Sequence, residues 1–492
     1  MLLSSLLPEL SSDKAILLNG ITDDSRLVQQ GDLFLAVSGP SHDIENSIHE
    51  AASKSAAAII CEPAVNETIV SNSVSSSPIF ALSNLAKSRS EIAGRFYGSP
   101  SEDMLVIAVT GTNGKTSCSH FVAKALNSID QCCGVVGTLG SGKLDNLTRL
   151  GLTTPSAVSL QEILSELARS DVNAVSIEAS SHGLAQDRLS GIKVDIAIFT
   201  NLTRDHLDYH LTFENYKLAK QKLFQMSSVS TVIINIDDEF GRELAKKIDP
   251  TKKRWTYSLR DKCADIYVQE IDYQLSGFSA SVHTPWGNLQ LSSKLFGEFN
   301  VSNLLSVVAV LGQQGYTCSK ISSAISEITK VKGRMHQLSD TGNIAVIVDY
   351  AHTPDALEKA LETCRAHVKQ KLWSVMGCGG DRDKGKRSHM GEVSTRLADF
   401  TVVTSDNPRF EEPRNIVDDI VKGCHQNALL HIEVNREKAI QYALAHAEPG
   451  DCILIAGKGH EEYQDVSGKL LNYSDFTVVE DYLSKKSVSG EG

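Results

Sequence analysis

The sequence predicts an α/β protein of about three domains, the central one built on a mostly parallel sheet that binds phosphate. Three observations lead there. The 492 residues exceed what a single hydrophobic core organises, and length alone suggests about three domains. Apolar runs of strand length alternate with helical patterns along most of the chain, which is the mark of βαβ units and a doubly wound sheet. Finally, Leu105–Thr116, reading LVIAVTGTNGKT, runs a buried-strand pattern through a glycine turn into a helix start. In such a turn the backbone N–H groups point at an anion and the helix dipole favours it.

Residues 1–100 read as a small α/β unit. Asp32–Val37 is a strand, Ile44–Ser55 a helix, Ala57–Cys61 a short apolar strand and Ser71–Pro78 a serine-rich loop. Asp24-Ser25-Arg26 reads as a surface turn. Gly98-Ser99-Pro100 makes a linker, and residues 101–336 form the second unit. After the phosphate strand come strands at Cys133–Thr138, Val172–Ile177, Val194–Phe199 and Val232–Ile236. Helices are expected at Val158–Ala168 and Phe213–Met226. Trp255–Leu295 changes to short alternating runs, an antiparallel addition at the sheet edge. Helices follow at Phe299–Leu311 and Ser319–Ile328. The third unit, 337–492, begins after Gly333-Arg334-Met335. Its strands, Ile344–Val348, Leu372–Val375, Phe400–Val403 and Cys452–Ile455, predict a second, Rossmann-like sheet.

Composition narrows the function. A net charge of −12 argues against a general nucleic-acid binder, which carries a basic face. The ten cysteines are scattered without a CxxC pair, as reduced thiols are in a cytoplasmic protein. The first residues, MLLSSLLPEL, lack the basic region of a secretory signal, and no run reaches the length of a membrane span. A cytoplasmic monomer is expected.

In the central loop, Gly111, Thr112, Asn113 and Gly114 form the turn, Lys115 adds a point charge, Thr116 offers a hydroxyl to Mg²⁺ and Ser117 follows. The usual phosphate-loop spelling wants a glycine where Val109 stands, so the loop is a shorter relative opening at Gly111. Ligands of open α/β sheets bind beyond the carboxyl ends of the strands. Glu178 follows one such strand, and Thr200 to His206 follow another. Thr116 and Glu178 suit Mg²⁺, which prefers oxygen ligands. Asp205, His206, Asp208 and His210 invite a zinc reading, but no third ligand set with zinc spacing accompanies them. Lys220 lies on an amphipathic helix, where a lysine is ordinarily solvated. In the third unit three polar loops follow successive strands: Gly377–Arg387, Asp406–Arg409 and Gly457–Glu461. Arginine suits a carboxylate and acidic side chains suit an ammonium, so together the loops fit a zwitterionic amino acid.

These motifs taken in order — GTNGKT, SIEASSHGL, TNLTRDHLDYH, LFGEFNVSNLL, KGRMHQL, VDYAHTPDAL, GCGGDRDKGKR, DNPR and GKGHEEY — resemble the Mur ligase family of ATP-dependent amino-acid ligases over essentially the whole chain. The resemblance implies domains for a UDP-linked substrate, for ATP and for the incoming amino acid. It implies ligation of meso-2,6-diaminopimelate to the D-Glu γ-carboxylate of UDP-MurNAc-L-Ala-D-Glu through an acyl phosphate, with the C-terminal domain closing over the site. Lys115, Thr116 and Arg334 would grip ATP, Asn300 and Asn303 would lie near the adenine, and Asp349 near the ribose. Two Mg²⁺ ions would sit near Thr116, Glu178, His206 and Lys220, whose amine the family carbamylates to an anionic oxygen ligand. Asp23, Ser25 and Pro40-Ser41-His42 would meet the UDP end, and Thr153, Thr154, Ser180, Gln186 and Arg188 the muramoyl-peptide. Arg382, Asp406, Asn407, Pro408, Arg409, Gly457 and Glu461 would hold diaminopimelate. DNPR argues against the lysine-adding members, which lack the arginine equivalent to Arg409. The N-terminal unit argues against a folylpolyglutamate synthetase, and the third unit's loops argue against a non-catalytic nucleotide-binding module.

Overall fold

The computed structural model describes residues 1–10, 15–37, 43–65, 77–274, 277–331, 335–339, 344–368 and 370–489. The chain divides into two compact units, one of Met1–Tyr267, Thr284–Gly287 and Ser302–Ala324, the other of Val268–His283, Asn288–Val301 and Ile325–Gly492.

The first unit holds two sheets. Near the N-terminus, Gly20–Thr22, Asp32–Ala36, Ala58–Cys61 and Ile79–Ala81 pair in that order, all parallel. Side chains of a strand alternate between faces. Thus Leu33, Leu35, Ala58 and Ile60 pack with Ile92 and Ala93 of the helix Leu85–Tyr97. Phe34 and Ile59 pack with Ile48 and Ala51 of the helix Ile44–Ser53. The polar cluster at 24–26 is not a plain surface turn. Asp24 caps a 3₁₀ turn, Ser25–Leu27, and Ser25 is buried. Part of the serine-rich loop, 71–76, lies outside the described residues.

The larger sheet of this unit runs Lys253–Ser258, Thr231–Asn235, Ile196–Phe199, Leu105–Thr110, Ala174–Glu178, Cys133–Gly137, all parallel. Gly140–Lys143 and Asn146–Thr148 then add antiparallel at one edge. One face buries Val106, Ala108, Ile177, Phe199 and Ile234 against Leu160 and Leu164, Tyr216 and Leu223, and Phe240. These come from the helices Ala157–Arg169, Phe213–Gln225 and Glu239–Lys247. The expectation that 255–295 is antiparallel throughout is corrected. Lys253–Ser258 continues the parallel sheet, and Ile266 and Tyr267 pair parallel with Tyr257 and Ser258.

The second unit's main sheet runs His336–Ser339, Ala345–Asp349, Cys452–Ala456, Leu372–Met376, Phe400–Val403, Leu429–Ile432. Only the first strand is antiparallel. It is doubly wound. Ile347, Leu372, Val403 and Leu454 face Leu361, Met390 and Ile416. Val346, Trp373, Val402 and Ile453 face Ile440, Leu444 and Val479. A hairpin, Tyr463–Val466 with Lys469–Asn472, follows the last parallel strand.

Candidate active site

Sheet order fixes where the phosphate turn sits. From Leu105–Thr110 the chain winds to one side until Ala174–Glu178, then crosses to Ile196–Phe199 on the other. The crevice beyond Thr110 is therefore the sheet's switch point, where ligands of such sheets bind. The turn is pinned to the neighbouring strand end. Thr112 N donates to Asn201 O (2.8 Å), Asn113 N to Asn201 Oδ1 (2.9 Å) and Thr200 Oγ1 to Asn113 O (2.6 Å). Thr112 Oγ1 accepts from Thr203 N (2.9 Å) and lies 3.0 Å from Tyr216 Oη. Lys115 opens the helix Lys115–Asn127, and its Nζ donates to Gly111 O and Thr112 O, each at 2.8 Å.

Glu178 ends its strand wholly buried. Its carboxylate accepts from Thr116 Oγ1 (2.8 Å), Thr138 N (2.8 Å) and Thr138 Oγ1 (3.2 Å). Only glycine fits at 137, because a Cβ there would stand 2.1 Å from Glu178 Oε1. The residues expected around the muramoyl-peptide gather here. Thr153 Oγ1 lies 3.0 Å from Thr138 Oγ1, and Thr154 Oγ1 lies 2.7 Å from Glu178 O and 2.9 Å from Ser180 Oγ. Arg188 donates to Thr154 O and, through Nε and Nη2, to Gln186 Oε1, and Gln186 Nε2 donates to Tyr209 Oη.

Lys220 overturns its ordinary reading. It is buried, not solvated. Its Nζ lies 4.5 Å over the Tyr216 ring and donates to Gly111 O at 2.7 Å, the carbonyl that Lys115 also uses. Burial first, and the nearby charge of Lys115 second, push the Lys220 amine well below the ordinary lysine range, against a smaller opposing pull from Asp205. His206 is half-exposed, at φ 51°, with its ring edge-on to His182 (4.9 Å between centroids) and its Nε2 3.5 Å from Asp205 Oδ2.

The remaining expected residues have these surroundings. The Asp23 side chain, 7% exposed, lies between Ser156 Oγ (2.7 Å) and Arg89 Nη1 (3.6 Å), and Ser25 Oγ donates to Glu50 Oε2 (2.6 Å). Both are held by protein partners. Pro40, Ser41, His42 and Arg334 lie outside the described residues. Asn303 Oδ1 accepts from Cys118 Sγ (3.2 Å), one turn past the phosphate loop, whereas Asn300 Nδ2 donates to Phe296 O (2.7 Å). Asp349 ends its strand and accepts from Met335 N (2.7 Å) and Ala351 N (2.9 Å).

In the second unit, Cys452–Ala456, Leu372–Met376 and Phe400–Val403 are adjacent strands, so their three loops emerge side by side. Asn407 Nδ2 donates to Glu461 Oε2 (2.9 Å), and buried Lys458 donates to Asn407 Oδ1 (2.8 Å) and Glu461 Oε2 (3.2 Å). Asp406 Oδ1 accepts from Asn407 N (2.6 Å). The Pro408 carbonyl packs on Gly380, and a Cβ on Gly457 would reach within 2.5 Å of Asp406 Oδ2. Arg409 Nη1 donates to Gly380 O (2.7 Å), and Arg382 is exposed. Sequence reasoning missed Lys458, Thr138 and Tyr216. Lys458 sat within a motif already singled out, and Tyr216 lies one turn before Lys220 on the same helix.

A phosphate loop at the switch point of a parallel sheet, with a buried carboxylate against its threonine, defines a nucleotide-binding α/β enzyme of the phosphate-loop class. Residues 109–311 match the Mur ligase middle domain and 333–459 the Mur ligase glutamate ligase domain. The chain belongs to the Mur ligase family. The UDP-N-acetylmuramoyl-L-alanyl-D-glutamate–2,6-diaminopimelate ligase of Pseudomonas putida is 42% identical over 489 residues, covering 98% of each chain. That of Pseudomonas aeruginosa is 43% identical over 484 residues, again covering 98% of each. A solved structure of a ligase with the same name superposes with a TM-score of 0.75 at 34% identity, over 99% of both chains.

Proposed function

We propose that this chain is an ADP-forming acid–amino-acid ligase that joins meso-2,6-diaminopimelate to the D-Glu γ-carboxylate of UDP-MurNAc-L-Ala-D-Glu, a cytoplasmic step of peptidoglycan synthesis. Residues 1–100 take the UDP end, 101–336 take ATP and 337–492 take the amino acid. The observation that carries the choice of amino acid is the joining of three loops at adjacent strand ends, where Asn407 bonds Glu461 of one neighbouring loop and Arg409 bonds Gly380 of the other. Diaminopimelate brings two carboxylates and two ammonium groups, and a pocket with both an arginine and acidic side chains answers them.

The γ-carboxylate attacks the γ-phosphate of ATP, which gives an acyl phosphate and ADP. The amine of diaminopimelate then attacks the acyl carbon and phosphate leaves. Phosphoryl transfer asks the protein mainly for positioning and charge neutralisation. Lys115 and the N–H groups at the start of its helix supply both on the phosphate side. Thr154, Ser180, Gln186 and Arg188 hold the peptide carboxylate in line. The oxygens of Thr116 and Glu178, 2.8 Å apart, fit Mg²⁺ with phosphate and water oxygens. Lys220 as an amine offers no anionic oxygen, so it fits a second ion only as its carbamate. Bound there, Mg²⁺ would offset the phosphate charge.

One assay tests the reading: ADP release with UDP-MurNAc-dipeptide and, separately, meso-diaminopimelate, L-lysine or glutamate. Release with diaminopimelate is expected. Release only with lysine would refute the role given to Arg409, and none with any would favour a non-catalytic nucleotide-binding protein.

Lys220 gives a second expected result. Only the neutral amine attacks CO₂, and burial enlarges that fraction. ¹³C NMR in labelled bicarbonate should show a carbamate carbon that is missing in Lys220→Ala. A spectrum identical in the two proteins rules the modification out.

A further inference from the structure

Arg436 and Asp475 form an ion pair wholly removed from solvent. Arg436 Nε donates to Asp475 Oδ1 (2.8 Å) and Nη2 to Oδ2 (2.7 Å), a bidentate fork, and Tyr473 Oη donates to Oδ1 (3.0 Å). Burial disfavours the Arg436 charge, but Asp475 more than compensates and raises its pKa. Such a pair is weak evidence for stability, because desolvating two charges often outweighs their attraction and well-packed apolar residues do as well. Its presence calls for another reason.

The remaining donors of the guanidinium supply one. Nη2 donates to Ala456 O (3.0 Å) and Nη1 reaches Ser405 O (3.4 Å). Ala456 immediately precedes Gly457, and Ser405 immediately precedes Asp406. One buried side chain thus holds the last carbonyl before each of two loops that emerge from different strands of the sheet. It also places a fixed positive charge behind Asp406. An apolar pair of the same volume would fill the space and could do neither.

We infer that Arg436, held by Asp475, is a positioning residue for the amino-acid pocket: it sets the departure of the Asp406–Arg409 and Gly457–Glu461 loops and thereby the affinity for the incoming amino acid. The inference rests on the reading that these loops hold that substrate. Arg436 touches no substrate itself and acts through backbone carbonyls.

Two variants separate positioning from stability. Arg436→Met leaves Asp475 buried and unpaired, so its Tm should fall. Arg436→Met/Asp475→Leu removes both charges, so its Tm should recover toward wild type. Positioning requires that the double variant, though stable, keep a KM for diaminopimelate raised about tenfold or more with the KM for ATP unchanged. Hydrogen exchange followed by mass spectrometry gives an arm free of the activity assay. Amides of 405–409 and 457–461 should exchange at least about tenfold faster in the stable double variant, with the rest of the sheet unaltered. A double variant that regains the wild-type KM and wild-type exchange overturns the inference, as does one that fails to fold, since the pair would then be structural. Loops that loosen in a protein whose wild type releases no ADP with any amino acid would support the positioning and refute the ligase reading.

Discussion

Lys115→Ala is expected to abolish substrate-dependent ADP release, with kcat lowered about 10³-fold or more, the scale at which a single preorganised cationic or oxyanion-stabilising donor acts. The size follows from what Lys115 does and what it does not. Its ammonium rests on Gly111 O and Thr112 O, so it stands at the mouth of the turn with its charge in place before any phosphate arrives. The turn itself does not depend on it. Asn201, Thr200 and Thr203 hold Thr112 and Asn113 through backbone and side-chain bonds that the substitution leaves intact. Stability should therefore change by less than about 1 kcal/mol, as for a substitution outside the core, and the loss should fall on the chemistry. Lys115→Arg keeps the charge but not the compact ammonium, and it should recover only part of the rate. Undiminished ADP formation in Lys115→Ala would sink the phosphate-loop assignment.

The difference between Lys115 and Lys220 shows what a sequence displays and what it conceals. Lys115 was legible because its function is local: strand, turn and helix start are contiguous, and the geometry that makes an anion site is written within twelve residues. Glu178 was legible by one further rule, that sites lie beyond strand ends. Lys220 reads as a solvated lysine until its helix is laid out by burial. Tyr216, Ala219, Lys220, Leu223 and Phe224 are the buried residues, spaced three and four apart. The lysine occupies the apolar stripe itself, and the stripe was present in the sequence all along. The surroundings of Asp23 are concealed for another reason. Its partners Arg89 and Ser156 lie 66 and 133 residues away, and no local pattern announces that they will hold it. The hairpin after Glu461 went unread although Ser467-Gly468, both at positive φ, carries the turn chemistry of a tight hairpin. The parallel pairing of Ile266 and Tyr267 with Tyr257 and Ser258 had no local signal, because alternation of side chains is the same in parallel and antiparallel strands when one face is exposed.

That hairpin bears on the second large effect. Arg409→Ala should lower kcat/KM for diaminopimelate about 10²- to 10³-fold, the cost of losing a charge-assisted pair to a substrate carboxylate in a partly desolvated pocket, while turnover of L-lysine stays within about threefold. The preference between the two amino acids should fall by nearly the whole of the first factor, because lysine lacks the second carboxylate. The backbone shows how much structure is committed to this side chain. Arg409 sits at φ 50°, a left-handed conformation that a non-glycine residue adopts at some strain. It is held there from both sides: Arg409 N donates to Asp465 O (3.0 Å) and Ser467 N donates to Arg409 O (2.7 Å), both partners belonging to the hairpin or its turn. Nη1 is tied to Gly380 O, and Nε lies 3.9 Å from Asp465 Oδ2, which leaves the guanidinium aimed but not neutralised by a tight pair. Glycine at 409 distinguishes strain from function. Arg409→Gly removes the backbone penalty and should be at least as stable as Arg409→Ala, yet it should lose the same selectivity. Equal diaminopimelate-to-lysine ratios in wild type, Arg409→Ala and Arg409→Gly would show that the strained backbone serves some end other than recognising the second carboxylate. A ratio that collapses in both variants while Tm rises only in the glycine protein would tie the strain to the side chain it presents.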